Sequence, residues 1–213
     1  MELTGQFYFR EPAGDTPMGC DKARHILKAA EKHFAAGRYH EVTLEHICKS
    51  AGVGKGTVYR YFEDKEHLFF QVIISGLDEL VESVAEVGRE ECSPGEGLRR
   101  VAKCLADFYR RREALFSLMH SEQIRRSNRK KAMWKEWCKR SEEIVSVIEG
   151  FIARGAENGT YRSSFPAHAA AKLLMGMLRT GVRNRDEMPG GKDWPLAVVE
   201  LFEQGLVDAG PSD

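Results

Sequence analysis

A chain of 213 residues with 32 basic and 32 acidic side chains has no formal net charge at pH 7, so any affinity for nucleic acid must come from where charges sit rather than from their sum. No stretch of about 18 apolar residues is present, which excludes a membrane-spanning helix, and residues 1–19 lack the apolar segment of a secretory leader, so the chain is expected in the cytoplasm. Five cysteines, Cys20, Cys48, Cys92, Cys104 and Cys138, are dispersed without a Cys-x-x-Cys pair or a Cys/His cluster, which argues against a disulfide framework and against structural zinc.

Along the chain the expected elements are all helical. Met1–Gly19 carries Gly5, Pro12, Gly14, Pro17 and Gly19 and reads as an arm without regular structure. Its Phe7, Tyr8, Phe9 and Arg10 suit either docking on the body or a reach into a minor groove. Asp21–Ala36 has Ile26, Leu27, Ala30 and Phe34 at helical spacing, with Lys22, Lys28 and Lys32 outward. A short helix follows Thr43 and ends before Gly52. Another runs from about Lys55 to Phe62. Asp64 caps a long helix from Lys65 to about Glu90, with a stripe of Leu68, Val72, Ile73, Leu77, Leu80, Val84 and Val87. Ser93, Pro94 and Gly95 read as a break. Further helices are expected at about Gly97–Arg111, Leu115–Gln123, Trp134–Glu157, Pro166–Arg185 and Trp194–Val207. The basic run Arg125, Arg126, Arg129, Lys130 and Lys131 reads as a solvated loop and helix start, or as an anion site.

The most informative segment is Val42–Lys65, VTLEHICKSAGVGKGTVYRYFEDK. Leu44, Ile47, Cys48 and Ala51 give its first helix one apolar face. Thr43 is a suitable N-cap, and Gly52 can take the left-handed conformation that ends the helix. In the second helix Val58 and Phe62, with Val53 before it, supply the inner face. Lys55, Gly56, Thr57, Tyr59, Arg60 and Tyr61 are left outward or flanking, as on a helix meant for a major groove. The run AGVGKGTVYRYFEDKEHLF closely resembles the signature of the TetR family of transcriptional regulators, and the resemblance covers roughly Asp21–Leu68. GVGKGT also echoes a phosphate-binding loop, but it lacks the full G-x-x-x-x-G-K-[ST] pattern and follows a helix, not a strand.

Roles follow residue by residue. Thr43 stands at a helix N-terminus, which favours a phosphate. Lys55 can reach a phosphate or a guanine edge. Gly56 lets the backbone approach DNA closely. Thr57 and Tyr59 can donate to phosphates or touch a thymine methyl. Arg60 is the best candidate for base readout, since arginine pairs bidentately with guanine. The resemblance implies that Tyr59, Tyr61 and Lys65 hold the DNA backbone, with packing against the first helix the alternative for Tyr61. From Asp21 to Glu66 nine basic side chains face seven acidic ones, so placement decides.

The remainder reads as a body for sensing and pairing. Ala167, Ala170, Ala171, Leu174, Leu178 and Gly181 fall at helical spacing on the penultimate helix, and Val198, Leu201 and Phe202 on the last. The resemblance implies that two such helices pair with their copies, making a homodimer on a two-fold operator. Phe108, Arg112, Phe116, Met119, His120, Trp134, Trp137 and Met175 are the candidate lining of an apolar effector site with a few polar groups.

The expectation is therefore an all-α chain in three parts: an arm at 1–19, a helix-turn-helix head at 20–66, and an effector-binding and dimerisation body at 67–213. Its function would be a one-component transcriptional regulator, a repressor released from double-stranded DNA by a small apolar effector. It would have no catalytic residues, metal, cofactor or membrane partner. The alternatives are a DNA-binding architectural protein without a ligand, or an enzyme; no Ser/His/Asp constellation or metal-ligand spacing supports the latter.

Overall fold

The computed structural model of the protein describes residues 17–37, 39–113, 130–162, 164–188 and 191–206. Among them the helices are α1 (Pro17–Ala36), α2 (Leu44–Ala51), α3 (Lys55–Tyr61), α4 (Lys65–Arg89), α5 (Pro94–Arg111), α6 (Lys130–Glu157), α7 (Ala167–Arg183) and α8 (Trp194–Leu206), with short 3₁₀ turns at Arg185–Glu187 and Gly191–Asp193. No strand occurs among the described residues. The fold is all-α, a helix-turn-helix head followed by a helical body. The expected helix at Leu115–Gln123 lies outside the described residues, as do residues 1–16 of the arm.

Two helix starts differ from the sequence reading, and proline explains both. α1 begins at Pro17, inside the expected arm, and α5 begins at Pro94, inside the expected break. Proline's missing N–H is no loss in the first helical turn, and its φ is already helical. At α5 the Ser93 hydroxyl accepts from Glu96 N at 3.3 Å, so Ser93-Pro94 is a cap and first residue rather than a breaker.

The chain forms two compact units, Met1–Asp78 with Arg112–Trp137, and Glu79–Arg111 with Cys138–Asp213. In the first, α1, α2 and α3 pack on one another. Ile26, Ala30, Phe34, Ile47, Val58 and Phe62 are buried. Phe34 meets Phe69 edge-on at 5.0 Å between ring centroids, and Tyr39 joins both at 5.8 and 5.4 Å. Sequence spacing predicts one apolar stripe on α4. In fact Leu68, Phe69, Phe70, Gln71, Val72, Ile73 and Ile74 are all buried, so this half of α4 is a core helix covered on every side. That is why the unit runs past residue 66 to Asp78.

In the second unit α5, α7 and α8 pack mutually, and glycines set the closest approaches. A Cβ on Gly97 would lie 2.0 Å from the Phe151 ring, one on Gly155 2.1 Å from Tyr161, and one on Gly181 2.3 Å from Trp194. The end of α8 is tied by polar bonds. Arg99 Nη2 donates to Glu203 Oε2 and the Tyr161 hydroxyl to Glu203 Oε1, each at 2.6 Å, and Arg162 N donates to Leu206 O at 2.8 Å.

Candidate nucleic-acid interface

The α2–turn–α3 segment has the local chemistry its sequence requires. Thr43 is extended (φ −106°, ψ 151°), and its side-chain oxygen accepts from His46 N at 3.3 Å, capping α2. Gly52 takes φ 66°, the left-handed conformation that costs other residues a Cβ clash. Val53 N then donates to Cys48 O at 3.0 Å, closing the helix end. Asp64 caps α4 by accepting from His67 N at 2.7 Å.

Helix α3 is packed on one side and bare on the other. Val58, Tyr61 and Phe62 are 1–2 % exposed, whereas Lys55, Gly56, Tyr59 and Arg60 are exposed and Thr57 is partly so. Gly54 is the N-cap of α3, where glycine is a favoured residue, but Gly56 is informative because nothing in the chain calls for it. Neither has positive φ, and a Cβ on either would meet no atom within 4 Å. A glycine inside a helix costs about 0.5–1 kcal/mol relative to alanine. Without a side chain there, Gly56 leaves the start of α3 open to close approach from outside the chain.

The charged residues of this face are pre-arranged. The Lys55 ammonium is hydrogen-bonded to the Glu45 carboxylate of α2, and this bond holds the Glu45 carboxyl below its usual range. The pair spans the turn and offsets part of the positive charge counted from sequence. Arg60 Nη2 donates to the Tyr61 hydroxyl at 2.7 Å, with its guanidinium 4.9 Å from the centre of that ring.

Two expected DNA contacts need correction. Tyr61 is 2 % exposed; its ring is core, beside Phe62, so it orients Arg60 rather than facing a phosphate. Lys65 is turned inward. Its Nζ donates to Tyr39 O and Val42 O, each at 2.9 Å, and lies 4.4 Å from the centre of the Tyr39 ring. Partial burial lowers its pKa. Lys65 is thus a strut that fixes the turn leading into α2. Lys65→Met should lower stability by about 1.5–3 kcal/mol, the usual worth of hydrogen bonds to a charged group, and weaken binding to all DNA alike. Denaturant unfolding beside DNA titration checks this; weaker binding with unchanged stability would make Lys65 a direct phosphate contact instead.

Sequence reasoning missed Tyr39, Glu45 and Gly54. Tyr39 lies between elements, where periodicity gives no signal, and Glu45 meets Lys55 only once the turn has folded. Gly54 was visible as one more glycine in a glycine-rich turn.

In the body the candidate residues separate. Phe108, Met175 and Trp137 are buried, while Trp134 is 58 % exposed. Arg112 Nε sits 2.8 Å from Glu31 Oε1 of α1, in the slot left by the missing Cβ of Gly76, so it is spent on an ion pair rather than open as a ligand anchor. Phe116, Met119 and His120 lie outside the described residues. The expected pairing residues are mostly core of one chain. Ala170, Ala171, Leu174, Leu178, Val198 and Phe202 are buried among this chain's own helices, and Gly181 receives Trp194. Ala167 is partly exposed and Leu201 is 62 % exposed. The spacing was right for a helix face, but that face points inward. Leu173, 56 % exposed, is on the outward one.

A helix-turn-helix with a packed inner side and a bare outer side, heading an all-helical chain, is the build of a DNA-binding transcriptional regulator. Residues 26–72 match the family described as bacterial regulatory proteins, tetR family. The match covers the helix-turn-helix head, so residues 26–72 are similar to the DNA-binding part of that family, and the chain is a transcriptional regulator rather than an enzyme. It is 28% identical over 193 residues to the HTH-type transcriptional repressor AcnR of Corynebacterium efficiens, covering 91% of this chain and 95% of that one. Among solved structures it resembles a TetR-family regulator from Mesorhizobium loti, with TM-score 0.68 and 22% identity over 91% of this chain and 100% of that one. It also resembles FadR from Bacillus subtilis in complex with stearoyl-CoA, with TM-score 0.66 and 21% identity over 86% of this chain and 98% of that one.

Proposed function

We propose that the protein is a repressor that binds a pseudo-palindromic operator as a homodimer and leaves it when a small apolar effector binds the body. The observation that carries the DNA-reading part is the bare outer side of α3, where Gly56, unneeded by the fold, adjoins Thr57, Tyr59 and Arg60. Phosphate contacts from Thr43, Lys55 and Tyr59 would set register, and Arg60 would read a base edge. Half-sites would lie about one helical turn, roughly 34–36 Å, apart. Selection from randomised DNA tests this. Arg60→Ala should relax one position of the selected site, with a loss of about 1–3 kcal/mol there; an unchanged site would remove Arg60 from readout.

Gly56→Ala should move two measurements in opposite directions. The fold should gain about 0.5–1 kcal/mol, because the added methyl meets nothing within 4 Å. Operator affinity should fall, because the methyl stands where DNA must approach. Thermal unfolding and operator titration of one preparation suffice, and unaltered affinity would place the DNA elsewhere.

Support for pairing comes from the outward side of α7 and α8. Leu173, Gly176 and Thr180 on α7, and Leu201 and Gly205 on α8, are exposed, a surface of leucines and small residues suited to close helix packing. Support for an effector comes from the buried Phe108 and Met175 and from the relative that holds stearoyl-CoA. An effector acts by its different affinities for the DNA-competent and free arrangements, and a coupling of about 1–3 kcal/mol lowers operator affinity roughly 5–150-fold.

A further inference from the structure

Arg179, on the fourth turn of α7, is a partly buried cation that meets no carboxylate among the described residues. Its Nη2 donates to the Ser141 hydroxyl of α6 at 2.9 Å. It also acts on the Tyr109 hydroxyl of α5, by charge and by a side-chain hydrogen bond, against the burial that raises that hydroxyl's pKa. Its Nε is buried with no partner among the described residues. Arg99, Arg100 and Arg112 are also partly buried, and each has a carboxylate: Glu203 for Arg99, Glu90 and Glu96 for Arg100, and Glu31 for Arg112. A guanidinium withdrawn from water without a counter-charge is unfavourable. Two hydroxyls leave it polar company but still cationic. Met175, one turn before it on α7, is buried, as is Phe108, whose ring meets Tyr109 at 5.5 Å, and the exposed Arg183 also acts on the Tyr109 hydroxyl by charge.

We propose that Arg179, with the Tyr109 and Ser141 hydroxyls, is the seat for the carboxylate of an apolar acid, the effector of this protein. The assignment rests on the reading of the body as an effector-binding module and deepens it by naming the head group. A carboxylate is the fitting anion. One guanidinium fork binds it bidentately with charge assistance, the charges cancel one for one, and a hydroxyl can donate to each oxygen.

The test uses the full chain and a defined probe series: straight-chain acids from hexanoate to palmitate and phenylalkanoates, each with its matching alcohol and its coenzyme A thioester. Binding is followed by tryptophan fluorescence and thermal shift. At least one acid should bind, and its alcohol should bind about tenfold or more weakly, the usual range for a lost charge-assisted bond. Arg179→Met should weaken the acid by a similar factor and leave the alcohol unchanged. It should also leave the ligand-free unfolding midpoint unchanged or raised, because it removes an uncompensated charge; an arginine with a purely structural role would lower the midpoint. Should Arg179→Met fail to fold, Tyr109→Phe and Ser141→Ala keep the packing and should each weaken the acid several-fold but not the alcohol. Equal binding of acid and alcohol, insensitive to Arg179, would overturn the head-group assignment and leave the effector reading standing. Binding of thioesters alone would replace the carboxylate with a phosphate reader and overturn it as well. No binding by any probe would remove the apolar-effector reading, and this proposal with it.

Discussion

Leu173→Arg combined with Leu201→Arg should yield a folded monomer that no longer holds its operator, whereas Leu174→Arg should severely destabilise the body. The two leucines of the double variant are 56 % and 62 % exposed in the single chain, so arginine there costs the protomer little. Across a seam with a second copy the same arginines would face their own repeats and strip the contact of its largest apolar groups. Leu174 is one residue from Leu173 but 1 % exposed. A charge there has no partner and no route to water, and an uncompensated buried charge costs about 3–5 kcal/mol, a large part of the roughly 5–15 kcal/mol that holds a typical domain together. Sedimentation and circular dichroism separate the outcomes. A double variant that stays dimeric would place the pairing surface away from α7 and α8. A helical, monomeric Leu174→Arg would mean that Leu174 serves the seam after all.

Gly97→Ala should be the most damaging single-methyl change in the body. The new Cβ would lie 2.0, 2.3 and 2.4 Å from three atoms of the Phe151 ring. Phe151 is 1 % exposed and has nowhere to turn. The helices α5 and α6 must separate, and overpacking of this kind costs about 1–3 kcal/mol or more. Gly150→Ala on α6 is the matched control. Its added methyl meets nothing within 4 Å, so the helix-propensity gain of about 0.5–1 kcal/mol should appear alone. Equilibrium unfolding of both reads the contrast, and equal stabilities would show that the α5–α6 crossing adjusts freely.

The head was legible in sequence because its signals are local. Thr43, Gly52 and Asp64 act within three or four residues of their own positions, and caps of that range can be read without knowing the fold. The inner positions Ile47, Val58 and Phe62 follow from helical period alone. What the sequence hid depends on contacts made across elements. Tyr61 reads as an outward tyrosine until α3 is laid on its neighbours, and Lys65 reads as a free cation until the carbonyls of Tyr39 and Val42 come round to it. The body shows the same division more sharply. The period of α7 separates two faces, but not which one looks inward. Ala170 and Leu174 could as well have met a second chain as their own. Leu173 settles the direction only through its exposure in the folded protomer.

The length of α3 has a consequence for how the protein responds to heat. Seven residues, Lys55–Tyr61, are too few to stay helical in water unaided, since isolated helices shorter than about 12–15 residues are marginal. The helix that presents Arg60 and Tyr59 exists only while Val58, Tyr61 and Phe62 stay seated. Local opening of the head, which proteins undergo at lower cost than global unfolding, would therefore dissolve the reading surface while the body remains intact. Operator release on warming would then precede the melting of the molecule, and the regulator's working range would be set by how firmly three buried side chains keep two turns of helix wound.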